Sequence, residues 1–413
     1  MAKNHIITGL DIGSRSIKLV VAQYDLDGRE LRIIGATDHP TKGIVNGNII
    51  SIEDVVSSIS TALEKVERVV GVPIEGAIIG ISGPNIKSIS SQGVVAVSKA
   101  DGEIREEDVA RVIEAAQAVA VPHNYEILHV IPKTYKVDNQ EDIKDPIGMT
   151  GIRLEVETQI VMALSNQKKT IEKCMNRIGV DIDDEVFSIL ADAEAVLSRE
   201  QKELGVALIN IGSSNTGIAV YEAGELLHTA VLPVGSGHIT NDLAIGLRTS
   251  IKVAEMIKMQ EATCNLEDIK KRDEIDLSLF DDTLESGKKN MIPKTEISHI
   301  TKARVEEIFD LVTKELKSIE RFGMLPAGVI LTGGGAKLKG IVEQAKEQLK
   351  LPVFLAKIQK IQSIVDKTED LSYSTVVGLL LWSHNNGGFR PLITASIGGF
   401  MSKIKGIFKH MMP

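Results

Sequence analysis

Aromatic residues are scarce in this chain. Its 413 residues include one Trp, five Tyr and eight Phe, 3% of the total. Rings are normally the largest apolar payload of a core, so Ile, Val, Leu and Ala must do the packing. Cysteine is scarcer still. Cys174 and Cys264 cannot make a disulfide framework and lack metal-site spacing. They read as free thiols of a reducing compartment. With 12 Pro and no Gly period the chain is not collagen-like, and 43% hydrophobic residues exclude disorder. No uninterrupted apolar run reaches the length of a membrane-crossing helix, and MAKNHIITGL lacks the apolar stretch of a signal peptide. Surplus basic charge is missing too. Lys and Arg number 47 against 56 Asp and Glu, a net charge of −9. Nucleic acid is therefore a poor partner, because phosphate contacts need clustered cations.

What is present is an internal repeat. Residues 6–23, IITGLDIGSRSIKLVVAQ, read as strand, Gly turn, strand, followed by a DLDG turn and the strand LRIIGA. The pattern returns in GVALINIGSSNTGIAVYEAGELLHTAVLP. Asp11-Ile12-Gly13-Ser14 aligns with Asn210-Ile211-Gly212-Ser213, and, after a one-residue insertion, Ser16 with Thr216. Such a duplication predicts two similar α/β domains facing each other. Helical spacing marks 52–70, 105–119, 168–178, 188–201, 239–259, 301–322, 338–349 and 373–383. Residues 84–164 alternate strand-like pieces with one helix and read as a small inserted α+β domain. Residues 260–297 are charged and irregular.

Gly-rich turns expose successive backbone N–H groups, which form anion-binding concavities. Two such loops on facing domains suit a polyphosphate, with Asp11 placed to hold Mg2+ through its waters. Gly333-Gly334-Gly335 follows the strand 328–332 and precedes a helix expected at about Leu338. Small residues there let a planar base approach the backbone. Gly235-Ser236-Gly237 makes a fourth such turn. The pattern predicts a nucleotide site.

The last acidic residue is Asp370; beyond it stand Arg390, Lys403, Lys405 and Lys409. After the linker-like HNNGGFRPLI, residues 396–413 read as an amphipathic helix. Ile397, Phe400, Met401, Ile404, Ile407, Phe408 and Met411 fall in an apolar arc of about 140°, flanked by Lys403, Lys405 and Lys409. Its length of about 25 Å and its polar back suit lying on an anionic lipid surface rather than crossing it. Phe389, Phe400 and Phe408, three of the eight Phe, stand in the last 25 residues.

These motifs resemble the superfamily of actin, sugar kinases and chaperone ATPases. GLDIGS looks like its first phosphate motif, Asn210–Thr216 its second, Leu331–Ala336 its adenosine motif. Ala193–Leu197 and Val376–Gly378 look like its two connecting helices. Together with the segment Lys42–Gly47, the 84–164 insertion, Gly235–Ile245 and the basic terminal helix, the chain resembles the FtsA family of actin-like bacterial division proteins. The resemblance implies the following. Asp11, Gly13, Ser14 and Lys18 belong to the first phosphate hairpin, and Gly212, Ser213 and Thr216 to the second. Gly235, Gly237 and His238 lie near the nucleotide, and Glu255 and Lys258 touch ribose and base. Gly333, Gly334 and Gly335 form the adenosine loop. Glu194 stands where relatives orient the attacking water. Asn210 replaces the usual Asp, which implies ATP and Mg2+ binding with little hydrolysis. Gln159 replaces an expected His.

The implied domains are 1–84 with 165–204 and part of 365–383; the insertion 85–164; 205–259 with 318–364; an upper subdomain 260–317; a linker 384–395; and the membrane helix 396–413. The implied partners are the C-terminal tail of FtsZ, met by Arg304, further copies of the chain in a polymer, anionic lipid and later division proteins. The implied place is the cytoplasmic face of the bacterial membrane at the division site. Plainer readings stay open: Lys18 as an exposed strand lysine, Glu255 and Lys258 as a surface pair, Glu194 as an interdomain carboxylate, Arg304 as an ordinary helix arginine. So do two other functions, a pilus-assembly scaffold and a small-molecule kinase of the same fold.

Overall fold

A computed structural model describes residues 6–385 apart from 26–29, 99–100, 119–120, 268, 271, 282–289, 360 and 364. The Asp27-Gly28 turn and the whole of 386–413 lie outside the described residues. The chain opens with strands β1 (Ile6–Ile12), β2 (Ser16–Tyr24) and β3 (Leu31–Pro40). The hairpin β4 (Ile44–Val45) and β5 (Asn48–Ile49), helix α1 (Ile52–Val70) and β6 (Gly76–Ile81) follow. An inserted unit holds β7 (Lys87–Ala96), α2 (Glu106–Gln117), β8 (Tyr125–Val137), β9 (Gln140–Ile143) and β10 (Arg153–Leu164). The first half resumes with α3 (Ser165–Ile178), β11 (Asp181–Phe187), α4 (Ser188–Val196) and α5 (Arg199–Leu204). The second half has β12 (Val206–Ile211), β13 (Thr216–Glu222), β14 (Glu225–Leu232), α6 (Ser236–Gly246) and α7 (Ile251–Glu261). It continues through β15 (Glu274–Asp276), β16 (Met291–Pro293), α8 (Lys294–Ser318), β17 (Val329–Thr332), α9 (Ile341–Leu349) and β18 (Val353–Leu355). The strand β19 (Gln362–Ser363) and helix α10 (Ser374–Asn385) return to the first half.

The duplication is visible in strand order. One sheet runs β11-β6-β1-β2-β3-β19 and the other β18-β17-β12-β13-β14. In each, three consecutive antiparallel strands are extended on one side by two parallel ones. The inserted unit is a separate four-stranded sheet, β7-β10-β8-β9, with α2 against it. The cores are aliphatic as the composition requires. Leu10, Ile17, Leu19, Ile59 and Ile79 are fully buried in the first half, and Ile209, Val312 and Leu331 in the second. Each contributes roughly 1.5–3 kcal/mol by leaving water. Among the described residues Tyr135, Phe187 and Phe309 are the fully buried rings.

The two connecting helices meet at backbone distance. A Cβ on Gly378 of α10 would stand 1.9 Å from the Ala191 carbonyl oxygen of α4, and one on Gly9 would stand 2.7 Å from the Val376 carbonyl oxygen. Glycine is required at both, because only it allows that approach.

Several boundaries differ from expectation. The helix expected over 188–201 breaks after Val196, and Ser198 caps α5 by accepting from the Gln201 N–H at 3.2 Å. The helix expected over 239–259 is α6 and α7, separated by Leu247–Ser250 and restarted by the Ser250 cap. α10 runs through His384 and Asn385, which the linker reading had placed outside it. β11, DIDDEVF, was not anticipated. Its acids obscure the alternation, and as the edge strand beside β6 it tolerates charge. Among the described residues no helix is long and apolar enough to cross a membrane.

Candidate nucleotide cleft

The two Gly loops close alike. The Gly13 N–H donates to the Ser16 carbonyl at 3.2 Å, and the Gly212 N–H to the Asn215 carbonyl at 2.9 Å. Ile12 faces Ile17 across the first hairpin, and Ile211 faces Thr216 across the second. The loops are therefore equal in length, and the expected one-residue insertion does not exist. Ser16 corresponds to Asn215 and Ile17 to Thr216. Matching by hydroxyl type misled the alignment, whereas strand register decides it.

Both loops line one cavity of about 140 Å³, together with Asp11, Ser188, Asp192, Asn210 and Thr375. The N–H groups of Ser14, Arg15, Ser213 and Ser214 make no backbone hydrogen bond among the described residues, which leaves them to an anion. The buried oxygens Ser188 Oγ, Gln167 Oε1 and Asn215 Oδ1 border the same cavity without a partner. Buried polar atoms of that kind call for a ligand or water. The residues present thus fit a polyphosphate. Among the described residues no group of three or more His, Cys, Asp or Glu could hold a metal ion.

Asp11 lies opposite Lys18, and Lys18 opposite Asp38. Burial pushes the Asp11 carboxyl up, Lys18 draws it down and Asp38 adds to the rise. Lys18 is half-buried, donates to Ser16 Oγ at 3.0 Å and is not among the lining residues of the cavity. Thr216 is fully buried and its hydroxyl donates to the Val234 carbonyl at 2.8 Å. It holds the turn before α6 and does not face the cavity.

The two acids of α4 have opposite situations. Glu194 accepts from Lys202 Nζ at 2.9 Å and from Asn385 Nδ2 at 3.1 Å, and it is absent from the cavity lining. The structure therefore does not place Glu194 where water would be oriented. Asp192, two residues earlier and so on another side of the helix, is the carboxylate that reaches the cavity. It is fully buried, and one oxygen accepts from Ser374 Oγ at 2.7 Å and Thr375 Oγ1 at 2.9 Å. The other accepts from Asn210 Nδ2 at 2.5 Å. Burial pushes this carboxyl up to about 6, against the pull of those three donors and with a further push from Asp11. Asp192 went unnoticed in the sequence; an acid inside the apolar helix SILADAEAV was the available signal. It also explains Asn210. A second carboxylate there would face Asp192 at hydrogen-bond distance, whereas an amide donates to it.

The remaining glycines support the second loop. Cβ atoms on Gly235 and Gly237 would stand 2.7 and 2.8 Å from atoms of Gly212 and Ser213. The Ser236 and Gly237 N–H groups donate to the carbonyls of Gly212 and Ser213. His238 Nδ1 accepts from the Gly235 N–H at 3.1 Å and fixes the turn. Gly333, at φ 85°, and Gly335 press on Asn210 and Ile211, while Gly334 is exposed and open. The expected helix at Leu338 is instead a 3-10 turn over Gly334–Lys337, with α9 beginning at Ile341. Glu255 pairs with Lys258 at 2.7 Å and accepts from Thr240 and from Arg15 of the first loop. Lys258 is 7% exposed, which excludes the surface-pair reading. Burial pushes its ammonium down to about 7, aided by Arg15.

Arg304 of α8 is engaged. Its guanidinium grips Asp242 at 2.7 and 3.0 Å and Glu307 at 2.6 Å. Gln159 is buried in the inserted sheet and donates to Ser88 Oγ. The residues expected to meet the membrane, Ile397 to Met411, lie outside the described residues.

The family described as the SHS2 domain inserted in FtsA matches residues 83–162, and that described as cell division protein FtsA matches 207–378. The cell division protein FtsA of Pseudomonas aeruginosa is 37% identical over 382 residues, 91% of this chain and 89% of its own. The chain belongs to the FtsA family. The FtsA of Bacillus subtilis strain 168 is 38% identical over 94% of this chain and 85% of its own, and that of Escherichia coli K12 is 30% identical over 97% and 96%. This FtsA-family chain has the actin-like fold and is a cell division protein by descent. Among solved structures, the PilM–PilN type IV pilus biogenesis complex aligns with a TM-score of 0.62 at 14% identity, covering 98% of this chain and 99% of that one. MreB5 of Spiroplasma citri bound to ADP aligns at 0.54 and 14%, covering 92% and 96%. At such identities these likenesses speak for the fold alone.

Proposed function

We propose that this chain binds ATP with Mg2+ between its two halves, polymerises, holds the C-terminal tail of FtsZ and attaches to the cytoplasmic face of the membrane through residues 396–413. The observation that carries the reading is the pair of equal loops, Gly13–Ser16 and Gly212–Asn215, facing one cavity with unpaired N–H groups. Asp11, Gly13, Ser14, Gly212 and Ser213 hold phosphates and hydrated Mg2+. Lys18 balances Asp11, and Thr216 with Gly235, Gly237 and His238 keeps the second loop in place. Glu255 and Lys258 meet the ribose, and Gly333–Gly335 the base, with the open face of Gly334 toward it. Bound Mg2+ would compensate phosphate charge; the chain's own residues bind and orient.

Hydrolysis is slow in this reading. In-line attack on a phosphate depends on positioned water and charge compensation. Asp192 has both oxygens occupied, Asn210 is no base, and Glu194 is tied to Lys202. Turnover in the ordinary kinase range, on the order of 1–100 s⁻¹, would overturn it. Arg304 meets an acidic tail only by exchanging Asp242 and Glu307 for it. The membrane helix binds weakly alone and firmly when many copies share a filament. Flotation with anionic vesicles tests the attachment: a chain ending at His384 should stay unbound, and unchanged binding would remove the tail from the reading. Pull-down with the FtsZ tail separates this function from that of a pilus scaffold.

A further inference from the structure

The two phosphate loops are equivalent in length, closure and register, yet their sequences differ at two positions, Ser16 against Asn215 and the position before it. Where the first carries Arg15, the second carries Ser214. The turn itself therefore has no need of arginine. The Arg15 side chain leaves its own loop and pairs with Glu255 on α7, in the other half of the molecule and 240 residues away. Glu255 has partners besides it. Lys258 already stands 2.7 Å from Glu255, with Thr240 donating as well. The Arg15 side chain is 56% exposed, that of Glu255 only 18%. Arg15, next to the cavity-lining Ser14, thus reaches from a solvated position to a carboxylate of the other half that has further partners.

We propose that Arg15 is a latch: paired with Glu255 of the other half, it holds the two halves together when no nucleotide is bound, and a nucleotide enters by displacing it. This rests on the nucleotide reading above, and names how that site is gated. Two exchanges make the release favourable. Ribose hydroxyls are donors that can take the place of Arg15 on Glu255. The phosphates, arriving at the loop that carries Arg15, draw its guanidinium away. Any population held closed lowers apparent affinity by the fraction that is not competent to bind. An ion pair with one exposed partner is worth little, so the gate is a light one.

The test is calorimetric titration of ATP with Mg2+ into the full chain, its Arg15→Ala variant, its Glu255→Gln variant and the double variant. Hydrogen exchange of residues 13–16 and 251–258 is measured in parallel without nucleotide. Arg15 is exposed, so its removal leaves folding intact. A latch predicts that Arg15→Ala tightens ATP binding about two- to five-fold, less so in about 1 M salt. It also predicts faster exchange of both segments, and no further effect of Arg15→Ala in the Glu255→Gln background. Unchanged affinity with unchanged exchange overturns the latch. Weaker binding by Arg15→Ala also overturns it and makes Arg15 a phosphate ligand. If the unaltered chain binds no ATP, the nucleotide reading fails. Exchange in the unloaded protein then decides the latch on its own.

Discussion

Placing an acid at position 210 should damage this protein. Asn210 Nδ2 donates to Asp192 at 2.5 Å, inside a site where Asp192 has no exposed surface. Asn210→Asp removes that donor and sets two carboxylates against each other. Leaving a buried charge without its partner costs about 3–5 kcal/mol, so a loss of that order in the urea midpoint analysis at pH 7.5 is expected. The loss must depend on pH. Two facing carboxylates share one proton, so the folded pair binds a proton that the unfolded chain releases above about pH 4. Stability then rises as pH falls, by about 1.4 kcal/mol per unit, and much of the damage is repaired by pH 5. Exchanging the two residues, Asn210→Asp with Asp192→Asn, restores one acid and one amide at the same distance. Ser374 and Thr375 then donate to the amide oxygen. The double variant should recover most of the stability lost by the single one. An Asn210→Asp protein as stable as its parent at pH 7.5, or an exchange no better than the single change, would refute the argument.

Other consequences are as direct. Asp192 is pushed up from 3.8 to about 6, so the protonated form is favoured on folding. Its contribution is complete below the unfolded value and is lost as pH rises through about 6, on the order of 3 kcal/mol. Asp192→Asn should remove that loss, seen as a difference from the parent that grows between pH 4 and 7 in urea titrations. Gly378→Ala would push a methyl to 1.9 Å from the Ala191 carbonyl oxygen; separating α4 from α10 should cost about 1–3 kcal/mol and lower the melting temperature. Phe309→Ala empties a fully buried ring site in the second half and should cost about 3–5 kcal/mol, read in the same titrations.

Much of the architecture was legible because the repeat is written in alternation and turns. Leu10 and Leu19, or Ile209 and Ile218, occupy inward positions of hairpins whose loops are small and polar. The loops were legible too, since Gly13 and Gly212 each open a four-residue turn closed by their own N–H. What escaped notice depends on partners far along the chain. Arg304 looked free because Asp242 stands 62 residues earlier. Arg15 carried no reading in the sequence because Glu255 stands 240 residues away. Asp192 was passed over in favour of Glu194, two residues on, since only the packing of α10 against α4 decides which acid meets the cleft. Asn210 seemed a defect of the second loop until Asp192 was beside it. β11 was hidden because its acids lie on a sheet edge, where the usual alternation is relaxed.

The most direct test of the whole account is electron microscopy of the full chain on anionic phospholipid vesicles with ATP, with ADP and without nucleotide, beside a chain ending at His384. The account predicts filaments on the vesicle surface that depend on ATP, and bare vesicles with the shortened chain. Filaments indifferent to nucleotide, or vesicles coated equally by the shortened chain, would contradict it.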